Sequence, residues 1–215
     1  MKSIGFAGYD CIDIAVYFAR LLRLDGSSVG IVDATKYSSL LRAICVPESL
    51  MNSHSYYRDI IVGPQETITH SDFEHLDYII YYFGYDTNPT LLQACDEVLM
   101  VSDMIPSNVE MLNNLAIASQ SNINVLFRNA MVLKYDIKYL KSLLNYKIED
   151  TSIFILLYED VDYRNRCYLC NGDFPSLSHT SESMQDLLLD LMEQFSERDM
   201  TRLGRKEIAR LIKRA

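Results

Sequence analysis

An α/β fold with a mainly parallel sheet is predicted from three observations. Apolar, β-branched runs alternate with stretches of helical length along nearly the whole chain. The opening lays down a strand, a glycine-bearing turn, a helix and a second strand in quick succession. The run "DYIIYYFGYD" is apolar on consecutive residues, as a strand covered on both faces must be. Helices on both sides of such a sheet make a single three-layer α/β/α domain, and 215 residues suffice for one such core.

In order, "SIGFAG" reads as a short strand that stops at Gly5 and Gly8, and a helix follows from about Cys11 to Leu24, closed by the turn "DGSS". "VGIVDAT" is a second strand, reached by a crossover of the length a parallel pair requires. From "KYSSLLRAI" to "SLMNSHSYY" the pattern is helical or irregular, and "RDIIVG" is a short strand. "DEVLMVSD" and "INVLFRN" are strands separated by the helix "SNVEMLNNLAIAS", which Pro106 helps to start. "YDIKYLKSLL" is a helix and "TSIFILLYED" a strand. The alternating "YRNRCYLC" reads as an edge strand leading into an "NGD" turn. Met184, Leu187, Leu188, Leu191 and Phe195 share one side of a helix, which predicts docking onto the sheet.

Composition narrows the function classes. No apolar run approaches the roughly 20 residues that cross a bilayer, and "MKSIGFAGYD" turns polar too soon for a signal peptide. Five scattered cysteines suit reduced thiols, so a cytoplasmic protein is expected. A net charge of −9 argues against nucleic-acid binding. The charge is uneven: residues 198–215 hold seven Lys or Arg against Asp199 and Glu207. This divides the chain into a body over residues 1–197 and a basic amphipathic C-terminal helix over 198–215. In that helix Met200, Leu203, Ile208, Leu211 and Ile212 gather on one face, with Arg202, Arg205, Lys206, Arg210 and Lys213 across the others. Such a helix fits an acidic protein surface, its own body's or a partner's, or an anionic membrane on the inner face of the cell.

Gly5 to Asp13, "GFAGYDCID", aligns without a gap with the pattern "GKGGVGKTT", and "IAVYFARLL" falls where a helix ending "NLALALA" follows it. "VGIVDAT" is similar to "VLLVDAD", and "DYIIYYFGYD" to "YDYIIIDTPPG". "DEVLMVSDMIPSNVEMLNNL" and "INVLFRN" resemble the later strand, helix and Asn-ended strand of the same set. In order and spacing, residues 2–130 resemble the deviant P-loop ATPases of the ParA/MinD type, including the localisation proteins of Tad pili. The resemblance implies a P-loop NTPase-like fold, pairing of two copies across the nucleotide face, protein partners in pilus or secretion machinery, and peripheral membrane contact by the last helix.

The departures decide the chemistry that the resemblance implies. A working loop cradles phosphates with glycine N–H groups, reaches them with Lys, and offers a Ser or Thr hydroxyl to Mg²⁺. Here Cys11 stands at the Lys position, Ile12 at the hydroxyl position and Phe6 at the second, signature Lys. Asp10 replaces a glycine, and Tyr82 replaces the Asp on the Mg²⁺ side. Gly5, Gly8, Asp33 and Asn129 survive as vestiges of a cofactor site, with Asp33 at the water-activating or metal-binding position and Asn129 where relatives meet adenine. With the loop's other ligands missing, the plainer reading of Asp33 is a cap or turn residue. The expectation is a pseudo-ATPase without catalytic residues or cofactor, acting as a protein-binding localisation or assembly scaffold. A nucleotide sensor without hydrolysis and a peripheral membrane adaptor are its rivals. Phe6 and Tyr9 are expected to fill space otherwise taken by ligand, and Tyr82 and Tyr85 to present a partner surface at exposed strand ends.

Other signals point to no chemistry. The Cys167–Cys170 CxxC lacks a second ligand pair, so no metal is expected. The histidines have no HExxH spacing, no serine sits in a GxSxG elbow, and the first turn lacks the GxGxxG of a dehydrogenase.

Overall fold

The computed structural model describes residues 1–67, 73–85, 88–118, 122–131, 137–146, 148–149, 152–197 and 202–214. β1 (Lys2–Gly8), β2 (Val29–Asp33), β3 (Ser55–Tyr57), β4 (Ile60–Pro64), β5 (Tyr78–Gly84), β6 (Glu97–Ser102), β7 (Asn122–Ala130) and β8 (Ile153–Leu157) form one sheet in the order β3-β4-β2-β5-β1-β6-β7-β8. Its pairs are parallel except β3 against β4. The helices are α1 (Ile12–Leu24), α2 (Ser39–Ala43), α3 (Pro89–Ala94), α4 (Pro106–Ala118), α5 (Ile137–Ser142), α6 (Asp160–Leu169), α7 (Glu182–Phe195) and α8 (Arg202–Arg214). This is the three-layer α/β/α arrangement that the alternating pattern predicts.

Two apolar cores lie on opposite faces of the sheet, because successive strand side chains point to opposite sides. On one, Phe6 of β1 meets Phe18 of α1, which meets Phe195 of α7 edge to face. On the other, Ala7, Phe83, Val98 and Phe127 meet Val109 and Leu112 of α4. The central strand β5 is buried at every residue, as its unbroken apolar run requires.

Two matching clasps set the strand starts. Ser3 donates its N–H and hydroxyl to Asp96 Oδ2, both at 2.7 Å, and its own Oγ accepts the Asp96 N–H. Ser28 and Asp77 repeat the arrangement between β2 and β5. These bonds hold both aspartates below the usual carboxylate range, since backbone and hydroxyl donors favour the charged form.

Three local expectations change. "YRNRCYLC" forms α6 rather than an edge strand, with Asp162, Asn165 and Leu169 turned inward at helical spacing. "HSYYRDIIVG" holds an antiparallel pair, β3 and β4, joined through Arg58 and Asp59 at φ 52° and 63°. A short α3, capped by the Asn88 side chain on the Thr90 and Leu91 N–H groups, lies between β5 and β6. Residues 135 and 136 of the predicted "YDIKYLKSLL" segment lie outside the described ones, and so does the 197/198 boundary region over 198–201.

The five predicted α7 residues are all buried. In α8, Ile208 and Ile212 are also buried, and Arg205 binds Asp190 and Glu193 of α7 at 2.8 and 2.6 Å. Ile208, Ile212 and, in part, Leu211 of the apolar face are thus spent on the body of the chain. Lys206, Arg210 and Lys213 remain exposed.

Candidate functional site

The site is the connection from β1 to α1, at the C-terminal edge of a parallel sheet, where open α/β folds place their ligands. Gly8 has φ +105°, and a Cβ there would lie 2.3 Å from the Val101 carbonyl oxygen, so only glycine lets β1 run this close to β6. Gly5 is also closely approached, by Phe83 and Cys95. Next, the Tyr9 N–H donates to that Val101 carbonyl at 2.7 Å. This stitches the turn to the neighbouring strand.

Carboxylates occupy the mouth of α1. Asp13, in the first turn, is fully buried, and its Oδ1 accepts the Ile14 N–H at 3.0 Å. Arg128 of β7 reaches under the turn and grips Asp13 with both arms, Nη1 to Oδ1 and Nη2 to Oδ2, each at 3.0 Å. The same Nη1 donates to the Asp10 carbonyl. From the other side Arg166 of α6 holds Asp10 Oδ2 at 3.0 Å. Burial pulls the Arg128 pKa down, but Asp13 and then Asp10 hold it above its ordinary value. Burial also drives the Cys11 thiol far above its usual range, against the pull of Arg128. Cys11 is an inert core thiol at the helix start.

The predicted site residues divide between core and surface. Asp33 is buried and fully engaged: Oδ1 accepts the Thr35 N–H and hydroxyl at 3.0 and 2.6 Å, and Oδ2 accepts the Leu41 N–H at 2.9 Å. It ties β2 to the start of α2. Asn129 sits in the left-handed region at φ 57°, within a shift of the β7–β8 register, a conformation asparagine tolerates well. Phe6 faces α1 in the core and fills no ligand space, which corrects its expected role. Tyr9 does line the opening. Tyr82 is 4% exposed, with its hydroxyl raised by burial and Ser39 as partner, so it is not at an exposed strand end; Tyr85, at 41%, is exposed.

A cavity of about 390 Å³ opens here, lined by Tyr9, Asp10, Thr35, Ser39, Tyr82 and Tyr85 among others. Cys170, the second cysteine of the CxxC, also reaches its wall, from the end of α6. Among the described residues no group of three or more His, Cys, Asp or Glu is placed to hold a metal ion.

Arg128 and Arg166 are the site residues that sequence reasoning passed over. A signal existed: Arg128 interrupts the apolar run "NVLFRN", and Asp13 interrupts an apolar helix. Two lone opposite charges in buried elements imply each other.

A three-layer sheet with this strand-loop-helix at its centre defines the P-loop NTPase-like α/β architecture. Within it the chain has the ParA/MinD-type fold. The MinC:MinD cell division complex of Aquifex aeolicus superposes with a TM-score of 0.68 over 94% of this chain and 98% of that one, at 11% identity. A putative plasmid partition protein of Borrelia burgdorferi bound to AMPPNP gives 0.65 over 90% and 98%, at 13% identity. The apo McdA structure from "Cyanthece" gives 0.59 over 97% and 99%, at 15%. No protein-family model and no curated protein matches the sequence.

Proposed function

We propose that the chain is a pseudo-ATPase of the ParA/MinD fold that works as a protein-binding localisation or assembly scaffold. The carrying observation is that internal groups occupy the phosphate end of the loop. Asp13 takes an N–H at the mouth of α1, Tyr9 gives its N–H to β6, and both arginines at the loop are spent on Asp10 and Asp13. A triphosphate brings several negative charges, and here it would meet the Asp10 carboxylate, already paired with Arg166, with no Lys or Arg lining the cavity among the described residues. The residues present do not fit a magnesium nucleotide, so no hydrolytic step is derived through one.

On this reading surfaces do the work. Tyr85 and the exposed row Lys206, Arg210 and Lys213 are the contact candidates, toward an acidic protein or a second copy of the chain. Pilus or secretion machinery is the setting that the sequence resemblance implies. One similar structure, of lower likeness at a TM-score of 0.51, is a ParA bound to nonspecific DNA. The net charge of −9 argues against that partner for this chain. The sensor reading loses support because Asp33 and Asn129 have structural duties, and the membrane reading because Ile208 and Ile212 are covered.

The test is thermal unfolding with and without Mg²⁺-ATP, alongside phosphate release. Unchanged melting at millimolar ATP and no turnover are expected, because a ligand bound to the native state must raise stability by mass action. A saturable rise would overturn the reading.

A further inference from the structure

β8 ends the sheet, so among the described residues its outer side has no strand beside it. Tyr158, just past its end, donates its N–H inward to the Ala130 carbonyl of β7, whereas the Leu157 N–H turns outward to Ser183 Oγ of α7, both at 3.0 Å. Alternation along the strand puts the N–H and carbonyl of Ile155 on that outer side too. Sheets ordinarily blunt such an edge with charge, proline or shortness. At the far end of the sheet β3 is only three residues long, but β8 is five apolar residues, "IFILL", with Ile155 and Leu157 at 42% and 37% exposure. An open apolar edge is a template for a further strand.

α7 gives this edge a charged wall. A groove of about 450 Å³ lies between β8 and α7, lined by Ile155, Leu157 and Leu187 and by Glu159, Glu182 and Asp186. The three acids are exposed, and none is paired with a cation among the described residues. Glu182, Asp186, Asp190 and Glu193 recur at helical spacing on one side of α7. Further along that stripe Asp190 and Glu193 already hold Arg205 of α8, so the stripe accepts a guanidinium.

A second copy of the chain fits this groove poorly. Pairing β8 with another β8 would bring two acidic walls together. A neighbour's α8 offers Lys206, Arg210 and Lys213, but the exposed residues described on it are all charged and leave Ile155 and Leu157 without an apolar partner. We propose that β8 takes up an extended segment of another protein, added as a further strand. Its residues alternate between apolar side chains, over Ile155 and Leu157, and Lys or Arg, toward Glu159, Glu182 and Asp186. The groove shares no lining residue with the cavity at the β1–α1 turn, so the inference goes beyond the scaffold reading and does not depend on the state of that loop.

NMR titration and calorimetry of the full chain test it with three capped peptides: alternating Lys-Val-Lys-Val-Lys-Val-Lys, the same composition in two blocks, and an alternating Glu-Val counterpart. Saturable one-to-one binding of the alternating Lys peptide is expected, with slowed exchange of the Ile155 amide. Affinity should fall as salt is raised, by about tenfold in Ile155→Lys and several-fold in Asp186→Lys. Asp186→Lys changes an exposed helix residue and keeps the test decisive if Ile155→Lys fails to fold. Failure of the alternating Lys peptide to bind, equal binding of either control peptide, or affinities unaltered in the folded variants overturns the inference. A dimer of the unaltered chain that Ile155→Lys dissolves would seat a second copy on β8 and overturn it as well. None of these outcomes touches the melting test with Mg²⁺-ATP, which judges the loop alone.

Discussion

Arg128 and Asp13 meet fork to fork beneath the β1–α1 turn, with both nitrogen–oxygen distances at 3.0 Å and hardly any surface left on either side chain. Breaking such a pair strands a charge in the core. Asp13→Ala or Arg128→Ala should each cost about 3–5 kcal/mol, whereas Asp13→Leu with Arg128→Met should restore most of the loss. Urea denaturation of the three variants decides it, and simple additivity of the two losses would contradict the coupling.

Gly8 and Gly26 share a left-handed backbone, at φ +105° and +99°, but only Gly8 has a neighbour in the way. Gly26→Ala meets nothing within 4 Å and should lose only the backbone term of about 1–2 kcal/mol. Gly8→Ala drives its methyl into the Val101 carbonyl and should lose more than about 3 kcal/mol or fail to fold. Equal melting temperatures for the two would refute the close approach.

Cys11→Lys writes a lysine into the position where the resemblance expects one. The site is fully buried, so the ammonium must be desolvated beside Arg128. The variant should melt lower than the parent and gain no ATP-dependent stabilisation. A rise in melting temperature with Mg²⁺-ATP would show that one residue was all the loop lacked.

The Tyr57 hydroxyl is buried without a hydrogen-bond partner among the described residues, and burial pushes its pKa up to about 12 even though Arg58 lowers it. A phenol raised in the folded state contributes stability that is fully present below its ordinary value near pH 10. That stability is lost as the pH climbs through about 12. Tyr57→Phe should therefore flatten the alkaline decline between about pH 10 and 12 and leave neutral stability nearly unchanged. Unfolding midpoints across that range, with tyrosinate absorbance as the titration signal, provide the check.

α8 is held by buried Ile208 and Ile212 and by Arg205 on Asp190 and Glu193. The intact chain should stay out of anionic vesicles on flotation, since its apolar face is already covered. Ile208→Asp should release the helix, seen as new protease cleavage near residue 202 at little cost to the sheet. Flotation of the unaltered protein would mean that the helix undocks to meet lipid.

Much of the sheet could be read in advance because strands buried on both faces leave unbroken apolar runs, as in β5, and crossovers of helical length enforce parallel pairing. The hairpin of β3 and β4 could not, since Arg58 and Asp59 hold positive φ without the Asn-Gly signature of a tight turn. α6 was masked by "YRNRCYLC", whose polar residues mimic a period of two while burial follows Asp162, Asn165 and Leu169. At the site, the loop's position and the structural duty of Asp33 were open to sequence reasoning. The partnership of Asp13 with Arg128 spans 115 residues and depends on β7 lying two strands from β1, which spacing along the chain does not encode.

The ion pair under the turn acts as a ratchet. Losing Asp13 leaves an arginine in the dry interior with no counter-charge, and losing Arg128 leaves two acids crowded at one helix mouth. An anion-holding loop here would therefore demand concerted change at the start of α1 and on the distant strand β7, so drift by single steps is steered toward elaborating this junction rather than undoing it.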